Sequence, residues 1–211
     1  MTTPVAPHRP HRFARLTGRC LAAALRALAA TWRVERHGVA GLARSNGTPL
    51  LIGFWHGQYF PLLPLLRGIR GQVFIGEGFR GSLIAAIGEA FGYTPILLPH
   101  GQRQQAVERM RAALASPLPC ATAFDGPLGP ARQVKVSLIR LASEVGATIL
   151  PVSVSTAHRC VLGWRWDRRE IPYPFAKVQL LVGSPLAIPR GLPANELADW
   201  QQRVKSSLDE L

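Results

Sequence analysis

The sequence predicts an α/β protein with a mostly parallel central sheet and helices on both faces, preceded by a basic amphipathic helix. Apolar runs of strand length alternate with helical patterns from residue 50 to residue 155, as in strands joined by crossover helices. The run at residues 50–55 is apolar, and residues 148–155 alternate β-branched residues in the manner of a buried strand. The 211 residues, 47% of them hydrophobic, suffice for one domain with its own core.

The net charge points to an anionic partner. It is +13 in total, and the first 44 residues hold eight arginines against one acid, Glu35. Nucleic acid and an anionic membrane surface both fit such a segment, and net charge does not separate them.

The cysteines and the apolar segments indicate a cytoplasmic protein. Cys20, Cys120 and Cys160 follow no disulfide or zinc-binding spacing, so we expect a reducing setting and no metal site. We find no apolar stretch suited to a transmembrane span or a cleavable signal, so we expect the mature chain to start near Met1.

The first 33 residues divide into two parts. Residues 1–11 contain three prolines and are expected to be a flexible lead-in. A helix is predicted over residues 12–33, with arginines recurring every seven residues on one face. Leucines and Trp32 recur in helical steps on the other face. Such a helix either lies in a membrane interface or packs its leucines on the domain's own core, and both alternatives stay open.

The remaining elements follow from runs of apolar residues bounded by turn signals. A turn is expected at Asn46-Gly47. Strands are predicted at residues 34–39, 50–55, 72–75, 95–98, 120–124, 148–155 and 176–182. Helices are predicted soon after His56 and at residues 82–91, 104–114, 136–145 and 194–211. The aromatic and charged segment that contains Trp164 and Asp167 receives no assignment. Residues 34–211 are expected to form a single domain.

The candidate site lies at the carboxyl edge of the sheet, where open α/β sheets bind ligands. His56 closes one buried strand, and residues 120–135 form a strand that breaks into a loop with Asp125, Gly126 and Gly129. Arg132 and Lys135 precede the next helix. These parts suit either an anion-binding turn or an ordinary strand-to-helix turn.

Further ionisable groups are expected at the same edge. Glu77 and Arg80 follow the strand at residues 72–75, and Arg103 follows the next strand. One histidine among several cations suggests a general base beside an anion-holding pocket, suited to moving a group onto a hydroxyl of a phosphorylated acceptor. The chain has no G-x-S-x-G elbow and no Walker loop, which removes the commonest hydrolase and nucleotidase functions.

A glycine pattern offers a different enzyme class. Gly76, Gly78 and Gly81 match the dinucleotide-binding fingerprint between a strand and a helix. The acid expected about 20 residues later is absent. An oxidoreductase that uses Arg103 toward a 2′-phosphate is therefore kept only as an alternative.

Five ordered blocks of the sequence carry a resemblance to a known family. They are F-W-H-G at 54–57, F-R-G-S-L-I at 79–84, D-G-P-L-G-P at 125–130, I-L-P-V at 149–152, and W-D at 166–167 with I-P-Y-P-F at 171–175. Together they span about residues 50–186. The chain resembles the lysophospholipid acyltransferase superfamily, with its glycerolphosphate acyltransferase-like fold, and within it the bacterial branch called domain of unknown function 374.

The resemblance implies an acyltransferase at the inner face of the cell membrane, in contact with its anionic surface. His56 would take the proton of a lysophospholipid or related acceptor as it attacks an acyl thioester. Acyl-CoA or acyl-carrier protein would be the donor, without a further cofactor and without nucleic acid as a partner. Arg80, Arg103, Gly126, Gly129, Arg132 and Lys135 would bind substrate.

One position departs from the family pattern. The better-studied members carry an aspartate five residues after the histidine, and this chain has Pro61 there. We expect another carboxylate, Asp125 or Glu77, to take its place in space. The non-enzyme alternative is a lipid- or nucleic-acid-binding protein that keeps the scaffold without turnover, which Pro61 and the net charge of +13 would suit.

Overall fold

The computed structural model of the chain describes residues 12–43 and 47–211, and it confirms the predicted α/β fold. The strands are β1 (Arg33–His37), β2 (Leu50–Phe54), β3 (Gln72–Gly76), β4 (Thr94–Leu98), β5 (Cys120–Ala123), β6 (Thr148–Ser155), β7 (Arg159–Leu162), β8 (Arg169–Pro172), β9 (Lys177–Val182) and β10 (Leu186–Ala187). The helices are α1 (Arg12–Ala30), α2 (Tyr59–Leu65), α3 (Phe79–Phe91), α4 (Arg103–Leu114), α5 (Val136–Val145) and α6 (Leu197–Asp209). The predicted lead-in at residues 1–11 and Asn46 of the predicted turn lie outside the described residues.

The sheet puts β2 in the middle of the molecule. The strand order is β1-β9-β6-β2-β5-β3-β4, with β10 beside β6. Neighbouring strands from β6 to β4 are parallel. The loops that follow β6, β2, β5 and β3 therefore open at one edge of the sheet, which we call the carboxyl edge. Because β9 runs antiparallel to β6, the start of β9 lies at this edge as well.

Helices cover both faces of the sheet, as the sequence predicts. One core cluster joins α1, α2 and α3 through side chains such as Leu25, Leu62 and Ile87. The other joins α4, α5 and α6 through residues such as Leu114 and Ile139. The strand β2 serves both clusters, since its side chains alternate between the faces, and all five of its residues are buried. Because both faces of β2 are buried, the strand is held in place and the chain leaves it at the carboxyl edge.

The N-terminal helix α1 uses its leucine and tryptophan face for packing. Leu25 is buried in the cluster with α2 and α3, as is Trp32 just after the helix, while Leu28 is half-buried there. Gly18 lies so close to α3 that a Cβ atom on it would meet the Ala86 side chain at 2.7 Å. Of the two alternatives for this face, packing on the domain's own core is therefore the one found. Arg15, Arg19 and Arg26 are exposed, and Arg26 lies over the Phe91 ring.

A two-stranded hairpin, absent from the sequence-based assignment, follows β6. Its strands β7 and β8 pair antiparallel, with Arg159 opposite Pro172. Each strand is four residues long and partly exposed, so neither has the apolar pattern that predicts a strand. The hairpin lies against the turn after β2. A Cβ atom on Gly57 would be 2.4 Å from the Asp167 carbonyl oxygen, and only glycine permits this approach.

Candidate active site

The turn after β2 carries His56 and is tied to the sheet. Residues His56–Gln58 form a short 3-10 helix that leads directly into α2. Gln58 is buried, and its amide nitrogen donates to the Val154 carbonyl oxygen at 3.1 Å. The Ser153 hydroxyl donates to the Gln58 amide oxygen at 3.1 Å. Both partners lie in β6, so the position of this turn is fixed relative to two central strands.

The imidazole of His56 is paired with Asp167. The Nδ1 atom lies 2.9 Å from Oδ2 of Asp167, whose side chain is fully buried. A carboxylate only accepts hydrogen bonds, so Nδ1 carries the proton and Nε2 is left as the acceptor. The His56 side chain is 22% exposed. The aspartate thus holds the imidazole in one tautomer, with Nε2 able to accept a proton.

Two arginines keep Asp167 ionised. Arg165 donates from Nε to Oδ1 at 2.9 Å, and Arg169 donates to Oδ2 at 3.0 Å. Burial by itself would raise the pKa of Asp167. The hydrogen bonds from Arg165 and His56 and the charges of both arginines outweigh that effect and lower the pKa to about 2. The carboxylate therefore stays negative throughout the pH range in which an enzyme is assayed.

The pKa of His56 lies below its ordinary value of 6.5. Burial is the largest cause, and the charge of Arg169 acts in the same direction, while Asp167 and Asp125 oppose the shift. The ring is consequently neutral near pH 7, which is the state that accepts a proton.

Aromatic side chains enclose the imidazole. The Trp166 and Tyr59 ring centroids lie 5.0 and 5.3 Å from that of His56. Burial raises the pKa of Tyr59 to about 12, while the charges of Arg169, Arg165 and Arg80 act in the opposite direction. Of the predicted substrate-binding cations, Arg80 is thus near enough to this ring to act on it electrostatically.

Asp125 binds backbone groups of the site. Its side chain is buried, Oδ1 accepts from the backbone N–H of His56 at 2.9 Å, and Oδ2 accepts from the backbone N–H of Arg132 at 3.2 Å. Burial raises the pKa of Asp125, and these backbone hydrogen bonds lower it in part. Asp125 thereby joins the loop after β5 to the first residue of the turn after β2.

The expectation that Asp125 or Glu77 takes the place of the missing aspartate is wrong. Asp125 contacts the backbone of His56 and not its ring, and Glu77 pairs with Arg109 of α4 at 2.9 Å. Asp167 fills that place from a position 111 residues after the histidine.

The loop after β5 holds its own cations. Lys135 donates to the Gly129 carbonyl oxygen at 2.5 Å, and its side chain packs along Gly126. The Arg132 guanidinium lies 3.6 Å from Asp209 at the end of α6. Gly129 has φ +69°, and a Cβ atom there would be 2.6 Å from the Trp166 ring. The glycines thus give the loop its shape, and binding of an acceptor phosphate by Arg132 or Lys135 stays a prediction.

Arg103 and the glycine pattern lie farther along the sheet. Arg103 begins α4 after the edge strand β4, three strands from β2, or about 14 Å at the usual strand spacing. Gly76, Gly78 and Gly81 surround the start of α3, two strands from β2. The sheet therefore does not bring Arg103 to His56.

The sequence analysis missed Asp167 and its arginines as site residues. Asp167 lies among Arg165, Arg168 and Arg169, and it is one of 12 acids in a chain with 25 lysines and arginines. An acid enclosed by arginines beside tryptophans was a usable signal, because a buried carboxylate requires such partners.

Residues 12–43 and 47–211 contain neither a candidate membrane span nor a candidate metal site. No helix there is long and apolar enough to cross a membrane. No group of three or more histidine, cysteine or acidic side chains there could hold a metal ion.

Comparisons with known proteins place the fold. No family model matches the chain. The chain is 26% identical over 168 residues to an uncharacterized protein of Rickettsia prowazekii, covering 79% of this chain and 76% of that protein. The fold is similar to the crystal structure of the 1-acyl-sn-glycerophosphate (LPA) acyltransferase PlsC from Thermotoga maritima, with a TM-score of 0.54 and 17% identity. That similarity covers 95% of this chain and 83% of the other. The scaffold is thus acyltransferase-like, and assignment to the domain of unknown function 374 branch stays a prediction.

Proposed function

We propose that this protein is a membrane-associated acyltransferase at the cytoplasmic face of the cell membrane. It would move an acyl chain from a thioester, acyl-CoA or acyl-carrier protein, to a hydroxyl of a lysophospholipid or related lipid. The observation that carries the proposal is the 2.9 Å contact between His56 Nδ1 and Asp167 Oδ2, found in a fold similar to that of an LPA acyltransferase.

The geometry suits a general-base mechanism. His56 Nε2 takes the proton of the acceptor hydroxyl while its oxygen attacks the thioester carbonyl carbon. Asp167 stabilises the imidazolium that forms and is not itself protonated. The tetrahedral intermediate then expels the thiolate, the thiolate takes the proton from Nε2, and the new ester remains on the acceptor.

Positive charge around the pair supports an anionic acceptor. Arg80 acts on Tyr59 beside His56, and the loop with Gly126, Gly129, Arg132 and Lys135 is joined to the His56 turn through Asp125. We propose that Arg80 and this loop hold the phosphate of the acceptor. Arg103 is not included, because it lies at the far edge of the sheet.

The alternatives have less support. A lipid- or nucleic-acid-binding scaffold without turnover is suggested by Pro61 and by the net charge of +13, but Asp167 places a carboxylate at the His56 ring although position 61 has none. For an oxidoreductase, the glycine pattern follows β3 near the sheet edge, and β4 ends without the acid that would bind a ribose.

The test is transfer from a labelled acyl thioester to a panel of lysolipids. His56→Ala should lower the rate by about 10²–10⁴-fold, the range typical of a lost general base. Asp167→Asn should lower it by about tenfold or more, because the ring loses its orientation and its counter-charge. The matched control is His37→Ala, an exposed histidine at the end of β1.

Two results would contradict the proposal. One is the absence of transfer to any acceptor of the panel by the wild-type protein. The other is transfer that His56→Ala lowers no more than His37→Ala does.

A further inference from the structure

Within the described residues, four large apolar or aromatic side chains are exposed in the loops and turns around the candidate site at the carboxyl edge. They are Leu128 (88% exposed), Trp164 (81%), Tyr173 (52%) and Phe175 (72%). Leu128 lies in the loop after β5, Trp164 in the turn of the β7–β8 hairpin, and the other two in the connection to β9. We call these four residues the rim. All three connections open at the edge where His56 lies.

The rim adjoins the candidate active site. Trp166 contacts the His56 ring on one side and Gly129 on another. Leu128 precedes Gly129 in the chain, and Trp164 lies two residues before Trp166. The two most exposed rim side chains are therefore attached to the segments that enclose His56.

The backbone around Phe175 is held in an uncommon conformation. Its φ is +62°, in the left-handed region that residues other than glycine rarely adopt. Its N–H donates to the Thr31 hydroxyl just after α1, at 3.1 Å. Such conformations persist where the surrounding structure holds them, and they concentrate at functional positions. Here the result is an aromatic ring directed to the outside.

The charges near the rim fit an anionic surface. Residues 159–177 hold five basic and two acidic side chains. Both acids are paired with arginines, Asp167 with Arg165 and Arg169, and Glu170 with Arg159 at 3.1 Å. Arg168 is exposed, and the Arg165 guanidinium lies 5.8 Å from the Trp164 ring. Tryptophan and tyrosine beside arginine are typical of a membrane–water interface, where the cations meet anionic headgroups.

The N-terminal helix α1 is less suited than the rim to contact a membrane near the candidate site. Leu25 and Trp32 of its leucine and tryptophan face are buried in the core, and its large exposed apolar side chains are Leu21 and, near its start, Phe13 and Leu16. Phe13 lies 18 residues before Thr31, or about 27 Å along a helix. It is therefore far from the end of α1 that meets the rim.

We propose that the rim is a docking surface for an anionic phospholipid bilayer, with Trp164 and Leu128 inserted among the headgroups. This proposal rests on the function proposed above, because that function gives the protein a reason to bind a bilayer. A lysolipid acceptor stays in the bilayer, and docking through the rim brings its hydroxyl to His56 without extraction into water.

The test is co-sedimentation of the full chain with vesicles of phosphatidylcholine alone or with added phosphatidylglycerol. The wild type should bind the anionic vesicles more tightly. Leu128→Ser/Trp164→Ser should weaken that binding by about tenfold or more, since two large apolar side chains lose their contact with lipid. Both side chains are exposed, so the fold should be retained. The control Phe13→Ser/Leu16→Ser should bind like the wild type.

The proposal is overturned if the wild type fails to bind anionic vesicles, or if the rim variant binds them as tightly as the wild type does. A rim variant that loses affinity for duplex DNA and keeps its affinity for vesicles would overturn it in favour of a nucleic-acid surface. His56→Ala should bind vesicles normally, so the two proposals fail separately. Unchanged binding by the rim variant removes the docking surface, while unchanged acyl transfer by His56→Ala removes the enzyme.

Discussion

Different surroundings lower the pKa values of the two residues of the candidate pair. His56 is half-buried beside aromatic rings, which lowers its pKa, and Asp167 is fully buried but bound by two arginines, which lowers its pKa to about 2. Near neutral pH the pair is therefore a neutral base next to a fixed negative charge. In the proposed mechanism Asp167, Arg165 and Arg169 act through His56, so they would be positioning residues rather than catalytic ones.

The pH profile tests this division of roles. Asp167 raises the pKa of His56, so Asp167→Asn should lower that pKa further and move the acid limb of kcat/KM to lower pH, besides reducing the maximum. In the wild type the limb should lie below 6.5, the ordinary pKa of histidine. Initial rates across pH values from about 4 to 8 would measure it. A limb that stays in place or moves upward in Asp167→Asn would contradict the assigned roles.

At the scale of elements, the β7–β8 hairpin completes the site. It delivers Asp167, Arg165 and Trp166 to the turn after β2, and glycines at the points of contact let it approach. Gly57 faces the Asp167 carbonyl oxygen, and Gly129 faces the Trp166 ring. Hydrogen bonds to β6 fix the turn that carries His56, and the hairpin holds Asp167 beside it.

Gly57→Ala should therefore damage the site through the hairpin. The new Cβ atom would be 2.4 Å from the Asp167 carbonyl oxygen, so the hairpin must move. We expect about 1–3 kcal/mol of lost stability by thermal or denaturant unfolding. We also expect about 10²-fold slower acyl transfer, because a shift of about 1 Å misplaces the pair.

Gly163 supplies the matched control for that variant. It lies in the same hairpin, and a Cβ atom there would meet nothing within 4 Å. Gly163→Ala should leave both measurements near the wild-type values. Equal effects of the two substitutions would argue against a role for the close contact at Gly57.

Most of the elements could be predicted from the sequence, because periodicity and turn residues are local signals. The helix at Val136–Val145 and the strand at Thr148–Ser155 have the predicted bounds, and the other predicted elements differ by a few residues at their ends. The position of His56 at the carboxyl edge followed from the same patterns. Its partner did not, since Asp167 is 111 residues away in a turn between two strands of four residues that lack apolar alternation. Which face of α1 meets the core likewise depends on contacts with α3 that no local pattern reveals.

At the scale of the whole molecule, the sheet places the candidate active site and the rim at the same edge. The loops after β2 and β5, the start of α3, the hairpin and the connection to β9 bring the His56–Asp167 pair, Arg80 and the rim to this edge. The similarity to an LPA acyltransferase concerns the scaffold, and at 17% identity it leaves the function to the site. The proposed function therefore depends most on one claim, that His56 and Asp167 act as a single unit.

A double-mutant cycle on acyl transfer tests that claim most directly. Initial rates would be measured for the wild type, His56→Ala, Asp167→Asn and the double variant. If the two residues act as a unit, replacing Asp167 has no further effect on the rate once His56 has been replaced. The double variant should therefore be as slow as His56→Ala alone. Losses that multiply, with the double variant slower than His56→Ala by the full factor of Asp167→Asn, would contradict it.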